Sequence, residues 1–184
     1  MLLYLMVLLL SAGVVWIVHP YLVKFAFGKN IVDKPNARKL NRIPVPVLGG
    51  VGVFIGFIVS IYIVVSIFHL EFPHSYMFPL LLMLGMGLVD DMCDLTPHTK
   101  FVVQILAVLL LYFFCDLRID NLHGVFGVYE IPMVVSLPLS LVACVGLINS
   151  INLIDGIDGL SSGYSIVVSG LFAILAFVQG NTVN

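Results

Sequence analysis

Charge is what this chain of 184 residues has least of. Eight Lys or Arg and ten Asp or Glu make up 10% of it, against about 25% in an ordinary soluble domain. Apolar residues make up 61%, against roughly 45–50%. So little polar surface cannot cover a core in water, which excludes a soluble globular domain. The same balance excludes a disordered chain and a nucleic-acid binder. Cysteine is scarce as well. Cys93, Cys115 and Cys144 are odd in number and lack ligand spacing, so neither a disulfide framework nor a thiolate metal site is expected. The histidines, His19, His69, His74, His98 and His123, are scattered and give no zinc set. There is no internal repeat and no low-complexity tract. What the chain does have is long apolar runs, the mark of an integral membrane protein.

Six runs stand out: 1–18, 47–68, 72–89, 97–115, 133–148 and 160–178. A helix crossing a bilayer needs about 20 apolar residues, with a range of roughly 17–25. The runs are continuously apolar rather than alternating, so they predict helices and not a β-barrel. The expected fold is an all-α membrane protein of about six transmembrane helices in a single membrane domain. Thr96-Pro97 reads as a cap followed by Pro at the first helical position, which lengthens the fourth span at its start. The fifth run is short and contains Pro138, so a re-entrant or buried helix also fits it. The first run lacks a basic leader and a small-residue cleavage site, and it reads as a retained helix.

Basic residues set the expected orientation. Lys24, Lys29, Lys34, Arg38, Lys39 and Arg42 lie between the first and second spans, and Lys100 follows the third. Only Arg118 follows the fourth. Loops after odd-numbered spans are therefore expected in the cytoplasm, with the N-terminus outside.

Each of those inner loops carries a dense polar cluster. Ile31–Gly50, IVDKPNARKLNRIPVPVLGG, joins Asp33 and four basic residues to three prolines and a glycine-rich helix start. Such a start suits an anionic ligand, and the charges also suit simple anchoring to acidic lipids. Gly52 and Gly56, four residues apart, read as a helix-packing device. Gly87–Lys100, GLVDDMCDLTPHTK, places Asp90 and Asp91 at the end of a membrane helix. Two adjacent carboxylates at the negative end of a helix dipole need a cation, either a divalent ion or Lys100. Asn149–Leu160, NSINLIDGIDGL, adds Asn149, Asn152, Asp155 and Asp158, more than a linker between helices requires. It lacks the spacing of an EF-hand. Hard carboxylate oxygens at one membrane surface suit Mg²⁺ or Mn²⁺ and a phosphorylated ligand.

The three motifs DKPNARK with PVPVLGG, GLVDDMCDL followed by Lys and Gln, and NLIDGIDGL occur in that order. In this the chain resembles the polyprenyl-phosphate N-acetylhexosamine-1-phosphate transferases from about Ile31 to Gly163. These are membrane enzymes of the bacterial inner membrane that move a sugar phosphate from a UDP-sugar to a lipid phosphate. Asp94 and PVPVLGG make it look more like the branch that transfers GlcNAc-1-phosphate to undecaprenyl phosphate. The phospho-N-acetylmuramoyl-pentapeptide transferase branch usually has Lys and PTMGG at those places.

The resemblance implies a Mg²⁺-dependent phosphotransferase (Mn²⁺ is an alternative) that acts on UDP-N-acetylglucosamine and undecaprenyl phosphate to begin a cell-envelope glycan. It implies catalytic roles for Asp90, Asp91, Asp155 and Asp158. Asp90 and Asp91 would be metal ligands, and Lys34, Arg38, Lys100 and Asn152 would bind substrate. Membrane lipid and a homodimer are the further partners, and nucleic acid is not one. Family members have ten or eleven spans and later motifs, one with a metal-binding Asp. This chain therefore reads as the N-terminal part of such a bundle, with a metal ligand missing and no turnover expected by itself. A non-catalytic membrane protein is the alternative from another class. Half of a transporter fits less well, because its polar residues would lie at the midplane.

Overall fold

The computed structural model describes residues 2–33, 43–72, 74–154 and 159–178. Its helices are α1 (Leu2–Gly28), α2 (Gly49–Phe68), α3 (Met77–Cys93), α4 (Pro97–Phe114), α5 (Met133–Ile154) and α6 (Leu160–Val178). Two-residue strands β1 (Val32–Asp33) and β2 (Val45–Pro46) pair antiparallel between α1 and α2. The chain is an all-α membrane protein. Among the described residues, five helical segments are long and apolar enough to cross a bilayer: Leu5–Gly28, Gly49–Phe68, His74–Cys93, Pro97–Phe114 and Met133–Ile154. Within α6, the stretch Leu160–Leu175 is a shorter apolar helix.

Several helices overrun the apolar runs that announce them. α1 continues ten residues past Val18, through His19 and Pro20, to Gly28. Proline removes one backbone hydrogen bond, whereas leaving the helix inside lipid would orphan many more groups. α5 continues past Ile148 to Ile154 and has Pro138 inside it. At 22 residues it is long and apolar enough for a crossing, which the run read from the sequence was not. A run of hydropathy stops at the first polar side chain, but the hydrogen-bond ladder does not.

The chain divides within α4 into two compact units. In Leu2–Val103, α1 packs along α2. Gly52, Gly56, Ser60 and Val64 form the buried stripe of α2, one residue per turn. A Cβ on Gly56 would lie 2.5 Å from Val15 Cγ2 and 3.0 Å from the Ser11 carbonyl oxygen. One on Gly52 would lie 3.2 Å from Leu22 Cδ1. The glycine pair is thus a packing device. Lipid gives helices no hydrophobic reason to associate, so close backbone approach supplies dispersion contact instead. Ser60 donates its hydroxyl hydrogen bond to the Gly56 carbonyl at 2.6 Å, which removes a polar group from the interface.

In Gln104–Asn184, polar residues knit the interior. Tyr112 donates to Ser136 Oγ at 3.1 Å, and Ser140 Oγ accepts from the Ile119 N–H at 2.9 Å. Ser136, Ser140 and Gln104 are all buried, whereas Val134 and Leu153 are over four-fifths exposed. Polar groups inside and large apolar groups outside are the arrangement that lipid favours. In the α4–α5 loop, Arg118 is held by Asp120 and Asp116. Its pKa is raised, first by the hydrogen bond to Asp120 and then by the charge of Asp116.

Candidate active site

Asp90 and Asp91 lie in the last turn of α3, not beyond its end. The helix closes at Asp94, which takes left-handed backbone (φ 48°) and donates its N–H to the Asp90 carbonyl at 2.9 Å. The Asp90 carboxylate then folds over this corner. Its Oδ1 accepts the Leu95 N–H at 3.0 Å and sits 2.6 Å from Lys100 Nζ. The cation demanded by a carboxylate at a negative helix end is therefore supplied, at least for Asp90, by Lys100. Both side chains are only partly exposed, so this pair is screened less than a surface one.

Thr96 places that lysine. Its Oγ1 accepts the Thr99 N–H at 3.3 Å, Pro97 takes the first helical position, and the Lys100 N–H donates to the Thr96 carbonyl. The cap expected from Thr96-Pro97 is present, and it starts α4 so that Lys100 lies one turn in. Asp91 and Asp94 are exposed.

The first motif enters beside this helix. β1 packs against α3, and Asp33 pairs with Val45 across the two strands. The segment carrying the basic residues thus leaves and returns at one place. Lys34 and Arg38 themselves lie outside the described residues, as do Asp155 and Asp158.

In the other unit, Asn152 is exposed on the last turns of α5. One turn earlier, Asn149 donates to Gln104 Oε1 at 2.9 Å and to the Val145 carbonyl at 2.8 Å. Gln104 Nε2 lies 3.5 Å from Asn149 Oδ1, which closes the pair. Both residues stand in motifs noted in the sequence, Asn149 in the third cluster and Gln104 after Lys100 in the second, but neither carries an expected role and their pairing is not foreseen. The available signal was a lone Gln inside an apolar helix, which in lipid must find a partner.

Among the described residues, no three His, Cys, Asp or Glu side chains gather into a metal cage. Mg²⁺ is commonly held by only one or two carboxylates, with water and substrate phosphates completing the shell. The hard oxygens of Asp90 and Asp91 have the chemistry for that role.

The family model for glycosyl transferase family 4 matches residues 73–184. The chain is 28% identical to the phospho-N-acetylmuramoyl-pentapeptide-transferase of Staphylococcus carnosus, over 94% of this chain and 59% of that protein. It is 29% identical to the undecaprenyl-phosphate alpha-N-acetylglucosaminyl 1-phosphate transferase of Haemophilus influenzae, over 82% and 42%. It is 27% identical to the probable undecaprenyl-phosphate N-acetylglucosaminyl 1-phosphate transferase of Bacillus subtilis, over 94% and 48%. The chain spans about half the length of the curated relatives it matches. No solved structure matches it.

Proposed function

The chain belongs to glycosyl transferase family 4, and on that premise we propose that it takes part in transferring GlcNAc-1-phosphate from UDP-GlcNAc to undecaprenyl phosphate, with release of UMP. The observation that carries this reading is the α3–α4 corner. There the acidic pair of the second motif ends a membrane helix, and a lysine is fixed beside it. The lipid phosphate attacks the β-phosphorus of the donor, and the bond from that phosphorus to the UMP oxygen breaks. A phosphate is already largely ionised near pH 7, so the site needs positioning and charge neutralisation more than a strong base.

Lys34 and Arg38 hold donor phosphates in this reading, and Lys100 meets the lipid phosphate while remaining within reach of Asp90. Asn152, Asp155 and Asp158 bind the nucleotide sugar. Asp90 and Asp91 would offer carboxylate oxygens to Mg²⁺ or Mn²⁺, which when bound neutralises phosphoryl charge. The active face is the cytoplasmic side of a bacterial inner membrane, where six of the eight basic residues would gather, with Lys24 in the final part of α1.

The test uses membranes containing the full gene product, with release of UMP from UDP-GlcNAc as the readout. Asp90→Asn and Asp155→Asn are each expected to lower the rate by about 10²–10³-fold, the scale for losing one preorganised electrostatic group. Near-unchanged rates in both variants would remove the site assignment. A second donor, UDP-MurNAc-pentapeptide, has its own support in the Staphylococcus carnosus relative, which aligns over 94% of the chain. Running both donors side by side decides between them, and GlcNAc is the expected winner.

A further inference from the structure

The segment between α4 and α5 is a small hairpin with an apolar tip. Asn121 and Glu130 form an antiparallel bridge. The Leu122 N–H donates to the Tyr129 carbonyl, and the Ile131 N–H to the Asp120 carbonyl, both at 2.8 Å. The turn at the far end runs through left-handed backbone at His123 (φ 49°), Gly124 (φ 87°), Phe126 (φ 55°) and Gly127 (φ 74°). Glycine adopts that region freely, but for a phenylalanine it costs about 1–2 kcal/mol. The result is a Phe126 that is 96% exposed, with Val125 and Tyr129 exposed beside it. Tyr129 crosses the tip with its ring 3.2 Å from where a Cβ of Gly124 would stand. In water such a turn would hold an aromatic side chain in a strained conformation, with no burial to offset the cost.

We propose that this tip is an anchor in the membrane interface: Val125, Phe126 and Tyr129 insert at the headgroup–acyl boundary of the leaflet where α4 ends and α5 begins. Three observations support the bilayer as the occupant. The first is depth. The Ile119 N–H is bound by Ser140, two helical turns into α5 from Met133, which is ~10 Å at 1.5 Å per residue. The base of the hairpin is thus tied to the body of α5 and not only to its first turn.

The second is polarity. Asp116, Arg118, Asp120 and Glu130 all lie toward the base, and no acidic or basic side chain other than His123 lies between Asn121 and Glu130. The third is continuity. Exposed Phe113 and Phe114 end α4, and exposed Met133 and Val134 begin α5, so the helix ends that flank the hairpin are apolar on their outer side as well. Aromatic side chains favour that boundary, where the ring is buried and a polar edge stays wet.

The experiment uses single cysteines in the chain with Cys93, Cys115 and Cys144 changed to Ala. Phe126→Cys, and separately Val125→Cys, would carry an environment-sensitive fluorophore. Each protein would be reconstituted in phosphatidylcholine–phosphatidylglycerol vesicles. Nitroxide lipids labelled near the headgroup are expected to quench both probes. Iodide is expected to quench them several-fold less than the same probe at His98→Cys. Iodide quenching equal to that at His98 would put the tip in water and overturn the proposal. Protection from both quenchers would mean that protein covers the tip, as in contact between two copies, and would overturn it equally. Val125→Cys keeps the test decisive if the Phe126 variant does not fold.

Discussion

Gln104 and Asn149 each place an amide inside an apolar helix, yet they are not equivalent. Gln104 is buried and has Asn149 as its partner, whereas Asn149 also reaches the Val145 carbonyl. Asn149→Leu therefore strands a buried amide, at a cost of about 1–3 kcal/mol. Gln104→Leu leaves Asn149 one bond and should cost less, as should the double Leu variant. Thermal unfolding in detergent across the four proteins would show the asymmetry, and equal losses in the two single variants would contradict it. At this scale the sequence was partly legible. The adjacent acids Asp90 and Asp91 announce a need for positive charge, and Lys100 is one of the two answers that need allows. That Asp90 would also hold the Leu95 amide was not legible, because it depends on the left-handed turn at Asp94.

Between helices, the α1–α2 contact is the most specific feature. Gly56→Ala would put a methyl group 3.0 Å from a backbone oxygen that cannot easily give way. Overpacking of this kind costs about 1–3 kcal/mol. Gly50→Ala, on the same helix, meets nothing within 4 Å and should be tolerated. A lower detergent-unfolding temperature for the first and no loss for the second is the expected pair of results. The spacing of Gly52 and Gly56 was readable from the sequence, since a small residue every fourth position puts a smooth stripe on one face. The far ends of α1 and α5 were not, because hydropathy registers side chains whereas the ladder belongs to the backbone. The two-residue strands were also invisible, being too short to produce any alternation.

For the whole molecule, the expected threading has the α3–α4 corner in the cytoplasm and the α4–α5 loop outside. Cys93 is exposed at the first place, and Asp116→Cys would introduce a thiol at the second. A maleimide that cannot cross membranes should label Cys93 only in inverted vesicles and the introduced thiol only in intact cells. Labelling of both from one side would break the threading. The family itself was legible at this scale, because three motifs in fixed order carry the resemblance, although overall identity to these relatives is only 27–29%. The choice of sugar was not, since relatives named for N-acetylmuramoyl-pentapeptide and for N-acetylglucosamine both match the chain.

One oxygen at the α3–α4 corner does two jobs, and the two partners differ in kind. The Leu95 amide belongs to the main chain and cannot leave without unwinding the bend, whereas the Lys100 ammonium rides on a long flexible stem. In the proposed reaction an arriving lipid phosphate would compete for the ammonium while the amide keeps the bend latched. On that reading, charge would change hands at this corner without moving its scaffold.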